Sequence, residues 1–271
     1  MHLLSAQAGS IQQEGEAIDL GQSPAPLVFA SAADSELALM AGAADRAGTT
    51  DLRCASILRL AHNLSVDLWL DRTVRHAKLV VVRLLGGPAY WPYGVDELTA
   101  LAASGAIHLA LLPGDANPDP ILRERSTIAS EDWTALHALF TAGGPDNTDA
   151  ILAAMRALAS GARLSEAKPQ PFPRFGLWHP DTGVAAGLSS SLGGGAEGHD
   201  AAPQPNIPLF FYRAALEGGG TATIEALVGE IERQGMNPVP VLVSSLKEQA
   251  CVRFVRDVLA TRPPAAIHNL T

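Results

Sequence analysis

The side chains of this chain best suited to contacting a ligand are aromatic. Tyr90, Trp91 and Tyr93 crowd among glycines and prolines in GGPAYWPYG at 86–94, and Tyr212 and Arg213 form a second, smaller group. Such rings offer flat faces for stacking, and an arginine fork matches a carboxylate. Two roles stay open for the 86–94 loop: contact with a ligand, or a turn stiffened by proline and held by its rings against neighbouring protein.

Other chemistries lack the residues they need. A P-loop places glycines ahead of a Lys-Ser/Thr pair so that backbone amides and an ammonium cradle phosphates. Lys78, Lys168 and Lys247 are the three lysines, and none has those surroundings. Gly193, Gly195 and Gly198 spell GxGxxG, but a dinucleotide fingerprint joins a strand to a helix, and this one lies in a Ser/Gly/Pro tract. His179 with Asp181, and His199 with Asp200, supply two ligands each where a metal site needs three or four. His62, His76 and His137 have no His or Cys one helical turn away, and neither Cys54 nor Cys251 sits in a nucleophile motif. Glu131 and Asp132 are adjacent on an expected helix and so point apart. The sequence assigns neither a catalytic residue nor a metal ligand.

The loops must be positioned by something, and the apolar pattern supplies it. Ser65 reads as the N-cap of a helix carrying Val66, Trp69, Leu70, Val74 and Ala77 at helical spacing. Leu79–Leu85 is almost continuously apolar, as in a strand covered on both faces of a parallel sheet. Leu3–Ala8, Leu27–Ser31, Arg53–Leu60 and Ile107–Leu112 read as further strands. Helices are expected at Asp34–Arg46, at Val95–Ser104, from a Ser130 cap, and at Ala150–Ser160. This alternation is the pattern of a doubly wound parallel α/β sheet, Rossmann- or flavodoxin-like, over residues 1–160. Residues 161–206, rich in Pro, Gly and Ser, read as an arm or linker. A second α/β unit is expected over 207–271, with strands at Ile207–Tyr212, Val239–Val243 and Ala265–Leu270. Ser245 and Glu248 have capping-box spacing before its last helix. The loops SAADSE (31–36), GGPAYWPYG, PGDANPDP (113–120), YRAALEGGG (212–220) and SSLK (244–247) fall at carboxyl ends of strands, where open α/β sheets place ligands.

The net charge of −9 argues against nucleic acid as a partner. The longest apolar run is interrupted by Arg83, well short of the about 20 residues of a membrane span. Two cysteines in 271 residues suit a reducing cytoplasm. Sixteen arginines against three lysines mean that any positive patch is built from planar forks. The densest basic run is Arg72, Arg75, His76, Lys78 and Arg83, with the first three on one helical face.

Several segments in a fixed order carry a resemblance: MHLLSAQAGSI, IDLGQSPAPLVFASAADSEL, SVDLWLDRTVRHAKLVVVRLLGGPAYWPYG, LALLPGDANPDP, FTAGGPDN, and the long stretch LFFYRAALEGGG through VSSLKE. Together they resemble the amino-terminal region of the CobN family, the large subunits of aerobic-pathway cobaltochelatase, related to the large subunit of magnesium chelatase. The resemblance implies a part in ATP-dependent insertion of Co2+ into a corrin, a hydrogenobyrinic acid a,c-diamide. It implies ATP hydrolysis by AAA+ motor subunits of CobS and CobT type, and further large-subunit domains as partners. No cofactor is expected on this portion itself, which is expected to be inert alone. Under the resemblance, Tyr90, Trp91, Tyr93, Tyr212 and Arg213 become candidates for contact with the flat macrocycle. A magnesium or other tetrapyrrole chelatase subunit, and a non-catalytic corrinoid-binding or docking module, are the alternatives.

Overall fold

Four short, largely apolar runs, too short for helices, set the strands of the first unit, with helices between them. In the computed structural model these are β1 (Leu27–Ser31), α1 (Asp34–Arg46), β2 (Leu52–Ser56), α2 (Asn63–Arg72), β3 (Leu79–Leu84), α3 (Pro92–Ala103), β4 (His108–Pro113), α4 (Pro120–Glu124), α5 (Ser130–Ala142) and α6 (Pro145–Ala159). The structure describes residues 16–164, 168–185, 204–217 and 221–271. The expected strand at Leu3–Ala8, the GxGxxG and the His199–Asp200 pair lie outside them. The chain divides into units of 1–170 and 171–271.

All four strands of the first unit run parallel, in the order β2-β1-β3-β4. Every residue of β1 and β3 is buried. On one face Leu27, Phe29, Leu79 and Val81 pack under α1, α5 and α6, through Met40, Trp133, Leu136 and Met155. On the other, Val28, Val80, Val82 and Leu84 pack under α2 and α3, through Val66, Trp69, Val95 and Leu98. This is the doubly wound parallel α/β arrangement. The outer strands do not end in bare edges. Thr127 and Ser126 hydroxyls accept the Leu109 and Leu111 amides of β4 at 2.8 and 2.9 Å. The Gln22 amide donates to the Cys54 carbonyl of β2 at 2.7 Å.

Local details differ from the sequence expectations. Helix α2 begins at Asn63, two residues before the expected Ser65 cap, and the His62 ring accepts the Leu64 amide. Ser65 is buried, its hydroxyl accepting the Ile18 amide at 2.7 Å. The helix stops at Arg72, and Val74–His76 forms a separate 3-10 turn. The basic run therefore has no common face: Arg72 pairs with Asp19, Arg75 with Asp71, and Arg83 is buried in β3. The predicted strand at Arg53–Leu60 ends at Ser56 and turns into 3-10 helix over Ile57–Leu60.

In the second unit, β5 (Phe175–His179), β6 (Gly183–Ala185), β7 (Asn206–Tyr212), α7 (Arg213–Glu217), α8 (Ala222–Arg233), β8 (Asn237–Val243), α9 (Gln249–Thr261) and β9 (His268–Asn269) follow in order. The sheet order is β6-β5-β8-β7-β9. β7, β8 and β9 are parallel, whereas β5 runs antiparallel to β8 and β6 antiparallel to β5. Ile224, Val228 and Ile231 of α8 cover one face, and Cys251, Phe254 and Val258 of α9 the other. Reading 161–206 as an arm is corrected for residues 175–185. Leu177 and Trp178 are 0% and 5% exposed, and their burial in the two layers holds a hairpin that its prolines disguise. The capping box is also corrected. Glu248 is itself the N-cap residue of α9, and its carboxylate meets Arg174 at 2.8 Å and accepts from the Ser244 hydroxyl at 3.1 Å. Among the described residues, no helix is long and apolar enough to cross a membrane.

Gly94, in the first turn of α3, lies under the Trp91 indole, where an added Cβ would stand 2.2 Å from the ring. Gly94→Ala is expected to destabilise the first unit by about 2–3 kcal/mol through overpacking. Urea unfolding checks this. A loss below about 0.5 kcal/mol would show that the indole moves aside freely.

Candidate functional site

The aromatic loop turns mostly inward. Trp91 is 2% exposed. Its indole donates to the Leu60 carbonyl at 3.0 Å and meets Trp69 at 6.1 Å between ring centroids. It is a core residue, so its candidacy for substrate contact is withdrawn: a ring this buried has no free face. Tyr90 is half-buried against the same core. Tyr93, also half-buried, donates its hydroxyl to Asp67 at 2.7 Å, and that carboxylate pushes the phenol up to about 12. In the second unit Tyr212 ends β7 and is exposed, and Arg213 stands over the Phe172 ring at 5.3 Å. The five candidates thus fall into two groups in two units.

The polar concentration that sequence reasoning missed lies at the carboxyl ends of β1, β3 and β4. Between β1 and β3 the chain reverses its winding: α1 leaves to one face and α3 to the other, the switch point where open α/β sheets form a crevice. Ser31 and Arg83 are paired in register at the ends of these two strands. Arg83 is 5% exposed. Its Nη2 donates to Glu36 at 2.9 Å and to the Gly114 carbonyl at 2.8 Å. The guanidinium lies over Phe140 at 4.8 Å, and Phe140 stacks on Phe29. Burial lowers the Arg83 pKa, while the charges of Glu36 and Asp115 oppose that shift. Ser31 donates to the second Glu36 oxygen at 2.6 Å and accepts the Ala33 amide at 3.1 Å. His137, from α5, bonds the Asp115 carbonyl through Nε2 at 2.9 Å. A carbonyl only accepts, so that nitrogen carries the hydrogen.

Beside this cluster, a groove of about 250 Å³ runs between the β3–α3 and β4–α4 loops, lined by Leu84, Gly86, Gly87, Asp115, Asn117 and Asp119. Gly87 adopts φ 74°, and a Cβ there would stand 2.9 Å from Asp119. Asp119 caps α4 by accepting the Ile121 and Leu122 amides. Among the described residues, no three His, Cys, Asp or Glu side chains are grouped to hold a metal ion. His179 and Asp181 meet in the β5–β6 turn, and Cys251 is fully buried against Ser244.

A CobN/Magnesium Chelatase family model matches residues 137–271. The whole chain aligns at 42% identity with an aerobic cobaltochelatase subunit CobN of Sinorhizobium sp., covering 21% of that protein. A subunit of the same description from Pseudomonas aeruginosa aligns over the whole chain at 36% identity, again over 21% of its length. The chain belongs to the CobN family. It spans about a fifth of the length of the curated relatives it matches. A solved structure, the catalytic subunit of cobaltochelatase from Mycobacterium tuberculosis, superposes with a TM-score of 0.63 at 24% identity, over 86% of this chain and 17% of that one. That likeness concerns the fold. In this CobN-family chain the Ser31–Glu36–Arg83 cluster is built by elements on either side of the switch point.

Cys54 is half-buried, and burial pushes its thiol up to about 11 from an ordinary value of 9.0. At pH 8 its thiolate fraction is roughly 100-fold below that of an ordinary thiol. Mass spectrometry of the native chain treated with iodoacetamide is expected to show Cys54 alkylated roughly 100-fold more slowly than free cysteine, with unfolding in urea removing the difference.

Proposed function

We propose that this chain is the amino-terminal part of the large subunit of an ATP-dependent cobaltochelatase that inserts Co2+ into hydrogenobyrinic acid a,c-diamide in cobalamin biosynthesis. The observation that carries the reading is alignment of the entire chain, at 42% identity, with a CobN protein. Co2+ is substrate here, entering the ring as protons leave. ATP hydrolysis belongs to AAA+ partner subunits of CobS and CobT type, consistent with lysines that have no P-loop surroundings. The reaction is cytoplasmic. The chain itself contributes architecture and ring contact, with Tyr90, Tyr93, Tyr212 and Arg213 as the contact candidates. Its net charge of −9 repels a polycarboxylate at long range, so ring acids must meet local cations at close range.

A second reading, a magnesium or other tetrapyrrole chelatase subunit, is favoured by a family description that spans both branches. The docking-module reading keeps the fold and removes the ring contact.

Two measurements separate these readings. The chain mixed with the motor subunits, Co2+, ATP and metal-free corrin is expected to yield no cobalt corrinoid, whereas the full large subunit does. Turnover by the chain alone would overturn its assignment as non-catalytic. Fluorescence titration with the metal-free corrin is expected to show submicromolar binding. No binding, with affinity retained for the other large-subunit domains, would establish a docking module instead.

A further inference from the structure

The Arg83 guanidinium is an anomaly among buried cations. Such groups normally use most of their donors, because a buried N–H without an acceptor is costly. Here Nη2 makes both bonds, and Nε and Nη1 are buried with no partner among the described residues. Glu36 meets the fork at one nitrogen, so the two-point geometry that makes arginine a carboxylate receptor goes unused.

The surroundings complete a receptor. The Ser31 hydroxyl supplies a second donor, set opposite Arg83 by strand register. The N-terminus of α1, a 13-residue helix with no side-chain cap, adds its positive dipole end. Phe140 covers one guanidinium face. Glu36 belongs to the first turn of α1, and its side chain is 22% exposed. It therefore stands at the mouth of the cluster. A change of rotamer that turns its carboxylate to water, still beside the α1 N-terminus, releases the Arg83 Nη2 and the Ser31 hydroxyl that it holds.

We propose that the crevice between β1 and β3 is a binding site for a small organic carboxylate, that Arg83 and Ser31 are its receptor groups, and that Glu36 is a built-in carboxylate that fills it until displaced. The exchange conserves charge: one carboxylate leaves the fork as another enters, so Arg83 is never buried alone. The ligand gains the two-point contact that Glu36 does not make. Which carboxylate occupies the site in the cell rests on the function proposed above, where the acid side chains of the ring are the available ones. The site itself does not rest on that reading.

The test uses the 271-residue chain and sodium propionate, with sodium chloride and the neutral isostere propionamide at matched concentrations as controls. Nitrogen-15 spectra report the Arg83 Nε–H and the Ala33 amide. Propionate is expected to shift both signals saturably in the wild type, and propionamide neither. Glu36→Ala should bind propionate at least tenfold more tightly, and Arg83→Lys, which keeps the charge and loses the fork, at least tenfold more weakly. If Glu36→Ala does not fold, Glu36→Gln removes the same competing charge at constant volume and is held to the same expectation. Absence of a wild-type shift, equal affinity in the wild type and the folded Glu36 variant, or an equal response to propionamide would each overturn the site. A chain that binds propionate at Arg83 but not the metal-free corrin would overturn the corrin reading alone. A chain that binds the corrin without any propionate response at Arg83 would overturn this site alone.

Discussion

Burial of both faces of β1 and β3 is the constraint on which the first unit depends. A strand covered on two sides cannot alternate apolar and polar residues, so its side chains must be apolar throughout or satisfied internally. Leu79 to Val82 obey the first alternative. Arg83 meets the second only in part, through Nη2, and only because it comes where the strand is ending and α1, α5 and the β4–α4 loop approach it. Glu36, Phe140 and the Gly114 carbonyl come from those three elements in turn. The winding order thus does two things at once. It encloses the sheet between helical layers, and it brings three separate stretches of chain to one charged side chain at the switch point.

The strands and helices of the first unit were largely legible because their signals are local. Apolar runs at Leu27–Ala30 and Leu79–Val82, with helical spacing between them, need no knowledge of distant contacts. The second unit was less legible at its edge. Phe175–His179 follows three prolines in five residues, and what makes it a strand is its pairing with Val241–Val243, more than sixty residues later. Composition reports a linker there because it cannot see a partner. The same limit explains the misplaced caps. His62 rather than Ser65 caps α2 because the Ser65 hydroxyl has a remote use at Ile18, and Glu248, the N-cap residue of α9, has a remote partner in Arg174.

The candidate site was illegible for a related reason. Aromatics in a glycine-rich loop look available for ligand contact, but Trp91 is consumed by packing on Trp69 and by its bond to Leu60. Arg83 looked like one member of a basic run. Its environment comes from Ser31, Glu36, Gly114 and Phe140, spread over more than a hundred residues of sequence. One signal was available. A single arginine at the end of an otherwise apolar buried strand must find acceptors at the carboxyl edge of the sheet, which is where the strand-to-helix loops converge.

That placement also bears on how an acidic chain handles an acidic ligand. With a net charge of −9, distributed surface cations would be outweighed by the mean field and screened by salt. A buried fork escapes both, since its field acts at contact distance in a poorly screened interior. It then needs a counter-charge whenever it is empty, because an isolated guanidinium at 5% exposure is costly. Glu36 supplies that counter-charge from within the fold. The pair is therefore intelligible as the resting state of a carboxylate receptor: the carboxylate that stabilises the empty crevice competes with ligand, and the affinity for ligand is the difference between the two contacts.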